Sequence, residues 1–193
     1  TSSTCIRYYG TDNGVYRSNG TPVLPGEEIS TLAVDPANTI YAGTRNANIF
    51  KSTDNGNNWT QILPGDGKDE YDIFQIVAVD TDEIFVATYR SGILWSSDGG
   101  STWTQRVNGL PSLSGEYGVS AIAKGNNVLY AAAITGVIPM ESEVYKSTDN
   151  GLNWSATDSG ASKEYEIESI AVSSDNTVYL GTSLGVLKSV DAG

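Results

Sequence analysis

The chain has 193 residues, with 23 acidic against 11 basic side chains and a formal net charge of −12 at pH 7. A surface this acidic repels nucleic acid, and no window is apolar enough to predict a membrane-spanning segment. Histidine is absent and Cys5 is the single cysteine. Within this sequence these counts exclude Ser-His-Asp triads, histidine-ligated metals and internal disulfides, so we expect no metal site and no cofactor.

The predicted strands follow one order that recurs along the chain. An apolar strand A (as at 32–34) is followed by strand B, which ends in small residues (40–44), and by strand C, which ends in Ser (49–52). A turn and a short strand D beginning at a Trp complete the unit. Alternating β-branched and aromatic residues predict half-buried strands. We therefore predict an incomplete unit at 1–26, complete units at 27–63, 73–107 and 119–157, and an incomplete unit at 167–193, all in one domain.

An octapeptide stands between strands C and D of each complete unit. It reads STDNGNNW at 52–59, SSDGGSTW at 96–103 and STDNGLNW at 147–154, and a fourth copy begins as SVDAG at 189–193. Repeats of roughly 40–50 residues that are read as strands indicate propeller blades. The first unit departs from the pattern, because 18–22 lacks both the Asp and the Trp, and this predicts a looser turn there.

These octapeptides resemble the Asp-box (BNR) motif, S-x-D-x-G-x-x-W, of sialidases, xyloglucanase-type glycoside hydrolases, sortilin-like receptors and photosystem assembly factors. The residues that carry the resemblance are Ser52, Asp54, Gly56, Trp59, Ser96, Asp98, Gly100, Trp103, Ser147, Asp149, Gly151, Trp154, Ser189 and Asp191. The resemblance implies an all-β fold, a β-propeller of four-stranded antiparallel blades, with about five partial or complete blades in this chain.

The box residues are predicted to be structural. The carboxylate of each box is expected to accept bonds from backbone N–H groups of its own turn, the Gly to supply a positive φ, and the Trp to plug the space between blades. A calcium loop is the competing interpretation, but the late acidic ligand of an EF-hand loop is missing from every copy.

A ligand face is predicted where the D–A loops and the B–C turns meet, opposite the boxes. The D–A loops repeat a Glu-Tyr pair, and two B–C turns add arginine and tyrosine; the residues are Glu70, Tyr71, Glu116, Tyr117, Glu164, Tyr165, Arg45, Tyr89 and Arg90. Rings and charged groups around a concave mouth suit a glycan or protein ligand. The alternative is that the tyrosines only cover the end of the core.

The sequence favours a non-catalytic, secreted or cell-surface module that binds a glycan or a protein, or that builds an extracellular assembly. Richness in Ser, Thr, Asn, Gly and Tyr with little Lys is the basis for the extracellular location. Further blades of the same protein, or self-assembly through open blade edges, are the expected partners. The alternative is a fragment of an Asp-box glycoside hydrolase, for which Glu70, Glu116 and Glu164 are available as acids, although the three-arginine cluster of sialidases is not apparent. Trp95 replaces the Arg or Lys of the other repeats, which predicts local packing, with a contact point for a partner as the alternative.

Overall fold

The computed structural model describes residues 6–64, 73–112, 118–137, 140–157 and 166–189. Every regular element in these ranges is a strand. In chain order the strands are β1 (Tyr8–Thr11), β2 (Gly14–Arg17), β3 (Pro22–Pro25), β4 (Ile29–Val34), β5 (Ile40–Thr44), β6 (Ile49–Ser52), β7 (Thr60–Leu63), β8 (Ile73–Ala78), β9 (Ile84–Thr88), β10 (Ile93–Ser96), β11 (Thr104–Gln105), β12 (Val119–Lys124), β13 (Leu129–Val137), β14 (Met140–Ser147), β15 (Ser155–Ala156), β16 (Ile167–Val172), β17 (Val178–Thr182) and β18 (Gly185–Lys188). No helix in this part of the chain is long and apolar enough to cross a bilayer.

The strands form five antiparallel sheets, here called blades 1 to 5. Blade 1 contains β1–β3, blade 2 contains β4–β7, blade 3 contains β8–β11, blade 4 contains β12–β15 and blade 5 contains β16–β18. Each strand pairs with its neighbour in sequence, so every blade is an up-and-down meander. The all-β class and its construction from propeller blades are thus confirmed.

The blades are joined side by side through their innermost strands, β4, β8, β12 and β16. The hydroxyl of Ser30 on β4 donates to the carbonyl of Ile73 on β8 at 2.5 Å. Ser120 on β12 makes the same bond to Ile167 on β16 at 2.7 Å. Between β8 and β12 the bond is different, because the Gln75 side chain accepts from the Ile122 amide at 3.0 Å.

Each innermost strand also carries a register shift near its start. The shift lies between Ile29 and Thr31 in β4, and it recurs at the equivalent place in β8, β12 and β16. The skipped residue is Ser30, Phe74, Ser120 or Glu168. A bulge of this kind turns one side chain out of the strand pairing, and the two serines use that freedom to bond the next blade.

The hydrophobic core lies between neighbouring blades. We call the side of a blade that faces the next blade in sequence its forward side, and the opposite side its backward side. At each junction the forward side of one blade packs on the backward side of the next blade. Between blades 2 and 3, for example, Tyr41 and Ile49 pack against Ile73, Ile76 and Val86. Equivalent clusters fill the three other junctions. Alternation of side chains along each strand puts one set forward and the other backward.

The Asp-box turns are closed by the side chains of Ser and Asp. In blade 3, Asp98 Oδ1 accepts from the amide of Thr102 and the hydroxyl of Ser96, both at 2.8 Å, and Asp98 Oδ2 accepts from Thr102 Oγ1 at 2.7 Å. The buried Ser96 hydroxyl accepts from the amide of Gly100 at 2.9 Å. The same pattern recurs around Asp54 and Asp149, where the side-chain amide of Asn58 or Asn153 replaces the Thr hydroxyl as the donor to Oδ2.

The box Gly and Trp contact the preceding blade. Two successive residues of each box turn have positive φ, as in Gly99 (70°) and Gly100 (93°), so the turn uses two left-handed residues where the sequence predicted one. The indole of Trp103 donates to the carbonyl of Ile62 at 3.2 Å, and that of Trp154 donates to Arg106 at 3.1 Å. Each box therefore fastens its own C–D turn and the previous blade together. Ser189 is described, whereas Asp191 lies outside the described residues.

The C–D turn of blade 1 is short despite having no box. The amide of Arg17 donates to the carbonyl of Thr21 at 2.9 Å, and the amide of Gly20 donates to the carbonyl of Arg17 at 2.8 Å. Asn19 Oδ1 accepts from the Thr21 amide at 3.0 Å. A three-residue loop whose last residue, Gly20, has a positive φ of 81° closes a tight hairpin without an Asp-box, so the looser turn expected from the sequence is not found.

Candidate functional site

The B–C turns are held by the Thr that ends strand B. Thr44 Oγ1 accepts from the amide of Asn48 at 3.1 Å, and Thr88 Oγ1 accepts from the amide of Ser91 at 3.0 Å. The Gln of strand D braces the same turns from the outer side: Gln105 donates to the carbonyl of Ser91 at 2.8 Å. A short turn fixed on both sides holds the side chains that it carries in defined positions.

Arg45 lies in the B–C turn of blade 2, where it meets the segment that leads into β4. Its Nε is 2.7 Å from Glu28 Oε1, and its amide donates to the Glu28 carbonyl at 3.1 Å. The equivalent amide of Ile134 bonds the carbonyl of Gly118 in blade 4 at 2.8 Å. The entry to strand A and the B–C turn thus share one face. About half of each charged side chain is exposed, so the ion pair itself adds little to stability.

Tyr89 and Arg90 lie in the B–C turn of blade 3 and contact each other. The Arg90 guanidinium lies 5.9 Å from the centre of the Tyr89 ring. The Phe74 ring meets the Tyr89 ring edge-on, with centroids 6.0 Å apart and an angle of 82°. The three partly exposed side chains form a stack in which a cation and two rings are presented together. We call Phe74, Tyr89 and Arg90 the aromatic stack.

Phe74 is a site residue that the sequence analysis missed. It occupies the bulge position of β8, where blades 2 and 4 have Ser30 and Ser120. Those serines bond the next blade, whereas Phe74 packs on the B–C turn of its own blade. An alignment of the innermost strands shows an aromatic ring at the position where Ser30 and Ser120 have a hydroxyl. The bulge, which is visible only in the structure, explains why the Phe74 ring lies on the same face as Tyr89.

Blade 4 differs on this face because its central hairpin is longer. Ala133 stands where the other blades have the capping Thr, and the ladder continues past it through Ile134↔Ser142 and Gly136↔Glu141. The long B–C segment of blade 4 is therefore an extension of strands β13 and β14. Gly118, whose carbonyl binds Ile134, also lies close to the Tyr89 carbonyl. The extended hairpin is thus next to the aromatic stack.

The base of this hairpin carries a shielded phenol. Tyr145 is largely buried and donates its hydroxyl to Glu143 Oε2 at 3.1 Å. Burial, together with the charge and the hydrogen bond of Glu143, raises the pKa of Tyr145 to about 12. The phenol is therefore neutral at any physiological pH, and it serves to position Glu143 on the hairpin.

Only part of the predicted ligand face falls within the described residues. Glu70, Tyr71, Glu116, Tyr117, Glu164 and Tyr165 lie outside them, and their grouping around the channel mouth stays a prediction. Of the three others, the structure brings Tyr89 and Arg90 together, while Arg45 pairs with Glu28 in blade 2.

Trp95 lies in a packing network between blades 3 and 4. The Arg106 guanidinium lies 4.0 Å from the centre of its ring, and its Nε1 donates to Glu83 Oε1 at 3.4 Å. Glu83 also binds Lys124 Nζ at 3.0 Å and accepts a hydrogen bond from the side-chain amide of Asn150. Burial opposes ionisation of Glu83, but the bonds from Asn150 and Lys124 outweigh it and lower its pKa. Local packing thus accounts for the indole at this position.

No cluster of three or more His, Cys, Asp or Glu side chains with metal-binding geometry occurs in the ranges that the structure describes. A cleft of about 530 Å³ runs along the outer rim, lined by 104–110 and Leu152. The wall of this cleft is formed where blade 3 packs against the box of blade 4. There the carbonyl of Asn108 accepts from the backbone amide of Trp154 at 2.9 Å, and Gly109 lies against the Trp154 carbonyl. The aromatic stack with its neighbouring hairpin is the better candidate site.

Comparison with known proteins identifies the repeat family. A family model described as photosynthesis system II assembly factor YCF48 matches residues 32–192. No curated protein sequence shows significant similarity to the chain.

Three solved structures are similar to the chain in fold. The extracellular domain of the putative one-component system BT4673 from B. thetaiotaomicron superposes with a TM-score of 0.71 at 17% identity, over 100% of this chain and 26% of that chain. YCF48 from Cyanidioschyzon merolae gives 0.64 at 17% identity, over 83% of this chain and 50% of that chain. A YCF48 bound to D1 peptide gives 0.50 at 15% identity, over 97% of this chain and 75% of that chain. The chain thus spans half or less of the first two relatives, and identities this low indicate the fold alone.

Proposed function

The chain belongs to the BNR-repeat propeller family described as photosynthesis system II assembly factor YCF48, and on this premise we propose that it is a non-catalytic module that binds a segment of another protein. The binding surface is the aromatic stack together with the extended hairpin of blade 4. We further propose that the module acts outside the cytoplasm, as a secreted or surface-displayed domain, in keeping with its composition.

The observation that carries the proposal is the stack of Phe74, Tyr89 and Arg90. Its centre is a partly exposed tyrosine that lies close to both the phenylalanine ring and the guanidinium. Tyrosine and arginine are the residues that most often dominate protein interfaces, because they bury a large area at low conformational cost and also donate hydrogen bonds. Their backbone is fixed by Thr88, so little order has to be gained on binding.

A peptide also suits the neighbouring hairpin. The strands β13 and β14 continue past the other B–C turns and form a raised wall beside the stack. Glu141 and Glu143 on this wall are acidic, whereas the stack carries the positive charge of Arg90. A surface with a raised wall, two rings and both signs of charge offers an extended segment apolar contact and directional bonds. The YCF48 relative that was solved with a D1 peptide is a protein of the same family with a peptide ligand.

The experiment compares Tyr89→Ala and Tyr89→Phe, with the D1 peptide bound by the YCF48 relative as the probe in fluorescence polarisation. Truncating an interface hot spot costs about 2 kcal/mol or more, which is roughly thirtyfold in Kd. We expect that loss for Tyr89→Ala, whereas Tyr89→Phe keeps the ring and most of the affinity. Arg90→Ala should weaken binding, and Arg7→Ala, which removes an exposed arginine from blade 1, should not.

All variants are compared by thermal unfolding, so that a misfolded variant is recognised. Binding that is equal in Tyr89→Ala and the wild-type protein would refute the assignment of the site. Xyloglucan oligosaccharides serve as a second probe. Release of reducing ends that is lost on replacing Glu70, Glu116 or Glu164 with glutamine would instead establish the glycoside hydrolase alternative.

A further inference from the structure

The junction between blades 3 and 4 departs from the repeat at its outer rim. Arg106 stands where blade 2 has Ile62, directly after the Thr-Gln of strand D. Leu152 stands where the boxes of blades 2 and 3 have Asn or Ser. Both residues line the cleft described above, and we call this cleft, bounded by 104–110 and Leu152, the rim cleft. Departures from a repeated pattern that meet at one place are where a specific function is expected.

Ile62 shows what the repeat requires at the position of Arg106. Its side chain packs in the junction between blades 2 and 3, where a Cβ atom on Gly100 of the next box would lie 2.5 Å from Ile62 Cδ1. Its carbonyl accepts the indole hydrogen bond of Trp103. The carbonyl of Arg106 accepts the equivalent bond from Trp154. The backbone of Arg106 therefore does what the backbone of Ile62 does, but its guanidinium has no equivalent in blade 2.

The guanidinium of Arg106 is shielded from solvent on two of its nitrogens and has no acceptor there. Nε and Nη1 are buried, and neither donates a hydrogen bond. Arg106 forms no ion pair with another residue in the described ranges. The Trp95 ring, whose centre is 4.0 Å away, stabilises the positive charge but supplies no oxygen acceptor. Buried N–H groups without an acceptor are uncommon and destabilising, so the packing of the junction does not explain this arginine.

The chemistry of the rim cleft suits a carboxylate with an apolar neighbour. Arg106 is partly exposed and is the one charged residue among those that line the cleft, so an anion in the cleft can reach its delocalised charge. A guanidinium binds a carboxylate through paired, charge-assisted hydrogen bonds. Leu152 is 54% exposed and adds an apolar surface. The chain as a whole carries a net charge of −12, so an acidic ligand is attracted here and repelled by most of the remaining surface.

The outer strand beside the cleft favours an extended segment over a free small acid. Strand β11 is the outermost strand of blade 3, and Thr104 and Gln105 of this strand line the cleft. The amide of Arg106 donates inward to the carbonyl of Ile93 at 2.7 Å. Because inward and outward bonding alternate along an antiparallel strand, the backbone groups of Gln105 point outward. Such groups can bind an extended peptide as an added strand.

We propose that the rim cleft binds an extended acidic segment of another protein, with a carboxylate on Arg106 and an apolar side chain on Leu152. The site is independent of the proposed function, since none of its residues belongs to the aromatic stack or to the extended hairpin. The junction of blades 3 and 4 thus gives up a favourable apolar contact, which Ile62 makes in blade 2, in exchange for a binding group.

The Nε–H group of Arg106 reports directly on this site. Its shielding from solvent slows exchange with water, so it should give a signal in proton–nitrogen correlation spectra of the full chain, and Arg106→Ile identifies this signal by removing it. The probes are the N-acetylated, C-amidated tripeptide Leu-Asp-Leu, its counterpart Leu-Asn-Leu, and acetate. Titration with Leu-Asp-Leu should shift the signals of Arg106 Nε and of the Trp95 indole. Leu-Asn-Leu and acetate should each bind roughly tenfold or more weakly.

Two variants restore the residues of the regular repeat. Arg106→Ile should weaken binding of Leu-Asp-Leu roughly tenfold or more and give a Tm equal to or above that of the wild type, because it removes an unpaired buried charge. An arginine with only a structural role predicts the reverse, a lower Tm and unchanged binding. Leu152→Ser, which copies the box of blade 3, should weaken binding roughly fivefold. Arg7→Ala, which removes an exposed arginine of blade 1, is the control and should bind as the wild type does.

The outcomes that overturn the proposal are distinct. If Leu-Asp-Leu leaves the Arg106 signal unmoved, or binds Arg106→Ile as tightly as the wild type, the cleft is not a carboxylate site. If acetate or Leu-Asn-Leu binds as tightly as Leu-Asp-Leu, the cleft does not recognise an acidic protein segment.

Discussion

The close approach of neighbouring blades at Gly43 leads to a quantitative stability prediction. Gly43 lies near the end of strand β5, and a Cβ atom at this position would lie 2.6 Å from Ile73 Cγ2, 3.1 Å from Ile73 Cβ and 2.8 Å from Thr31 Cγ2. Ile73 is fully buried in the junction between blades 2 and 3. The contact therefore cannot be relieved by a side chain swinging into solvent, and Gly43→Ala must push strand β5 away from strand β8.

The expected magnitude has two opposing parts. Overpacking a core by one methyl group costs about 1–3 kcal/mol, while replacing glycine lowers the entropy of the unfolded chain and returns about 0.4–1 kcal/mol. The net destabilisation should be about 1–2 kcal/mol. In a chain of this size that corresponds to a fall in Tm of roughly 2–8 °C.

Gly181→Ala is the matched control because Gly181 holds the same position in blade 5. The three atoms nearest to its added Cβ would all belong to Ser169, with the hydroxyl oxygen as the nearest. A hydroxyl can rotate away, so this variant should lie within about 0.5 kcal/mol of the wild type or be slightly more stable. Urea and thermal unfolding followed by circular dichroism measure both variants. If Gly43→Ala and Gly181→Ala have equal stability, the spacing between blades is not set by this contact and the reasoning fails.

Three further predictions concern the boxes and the junction between blades 3 and 4. Ser96→Ala leaves the buried amide of Gly100 without its acceptor, which should lower the free energy of unfolding by about 1–3 kcal/mol in urea titrations. Hydrogen bonds from Thr102 and Ser96 lower the pKa of Asp98 to about 2. A carboxyl group whose pKa is lower in the folded state than in the unfolded state stabilises the fold at any pH above its unfolded pKa. The free energy of unfolding should therefore fall as the pH is lowered from about 4 to about 2. Glu83→Gln and Lys124→Ala should be coupled by about 0.5–3 kcal/mol in a double-mutant cycle, since their part-buried contact is 3.0 Å.

Each of these has a control within the chain. Ser101→Ala removes an exposed hydroxyl from the same box and should change stability by no more than about 0.5 kcal/mol; an equal effect of both serine variants would contradict the role given to Ser96. For the acid transition, Asp98→Asn should remove part of the decrease in stability with falling pH, and an unaltered pH profile would show that the box carboxylates do not control it. Additive effects of the Glu83 and Lys124 variants would mean that their ion pair does not contribute.

The features that depend on neighbouring residues follow from the sequence alone. The period-two alternation of strands such as 40–44, the Asn-Gly turns and the repeating S-x-D-x-G-x-x-W are local patterns, and local patterns decide where strands and turns form. Because the copies share a spacing, they also predict the all-β class and the construction from propeller blades. Arg45, Tyr89 and Arg90 could be assigned to B–C turns for the same reason.

Contacts between residues far apart in the chain become visible only in the folded protein. The bulge that brings Phe74 to Tyr89, the pairing of Arg45 with Glu28 and the stacking of Arg106 on Trp95 arise from how strands shift and blades pack. The same holds for Val15, Ile49 and Ile93, which are buried because the next blade packs over each of them. Whether a side chain is buried depends on what packs against it. The sequence of a repeat does not by itself specify how the neighbouring blades are placed.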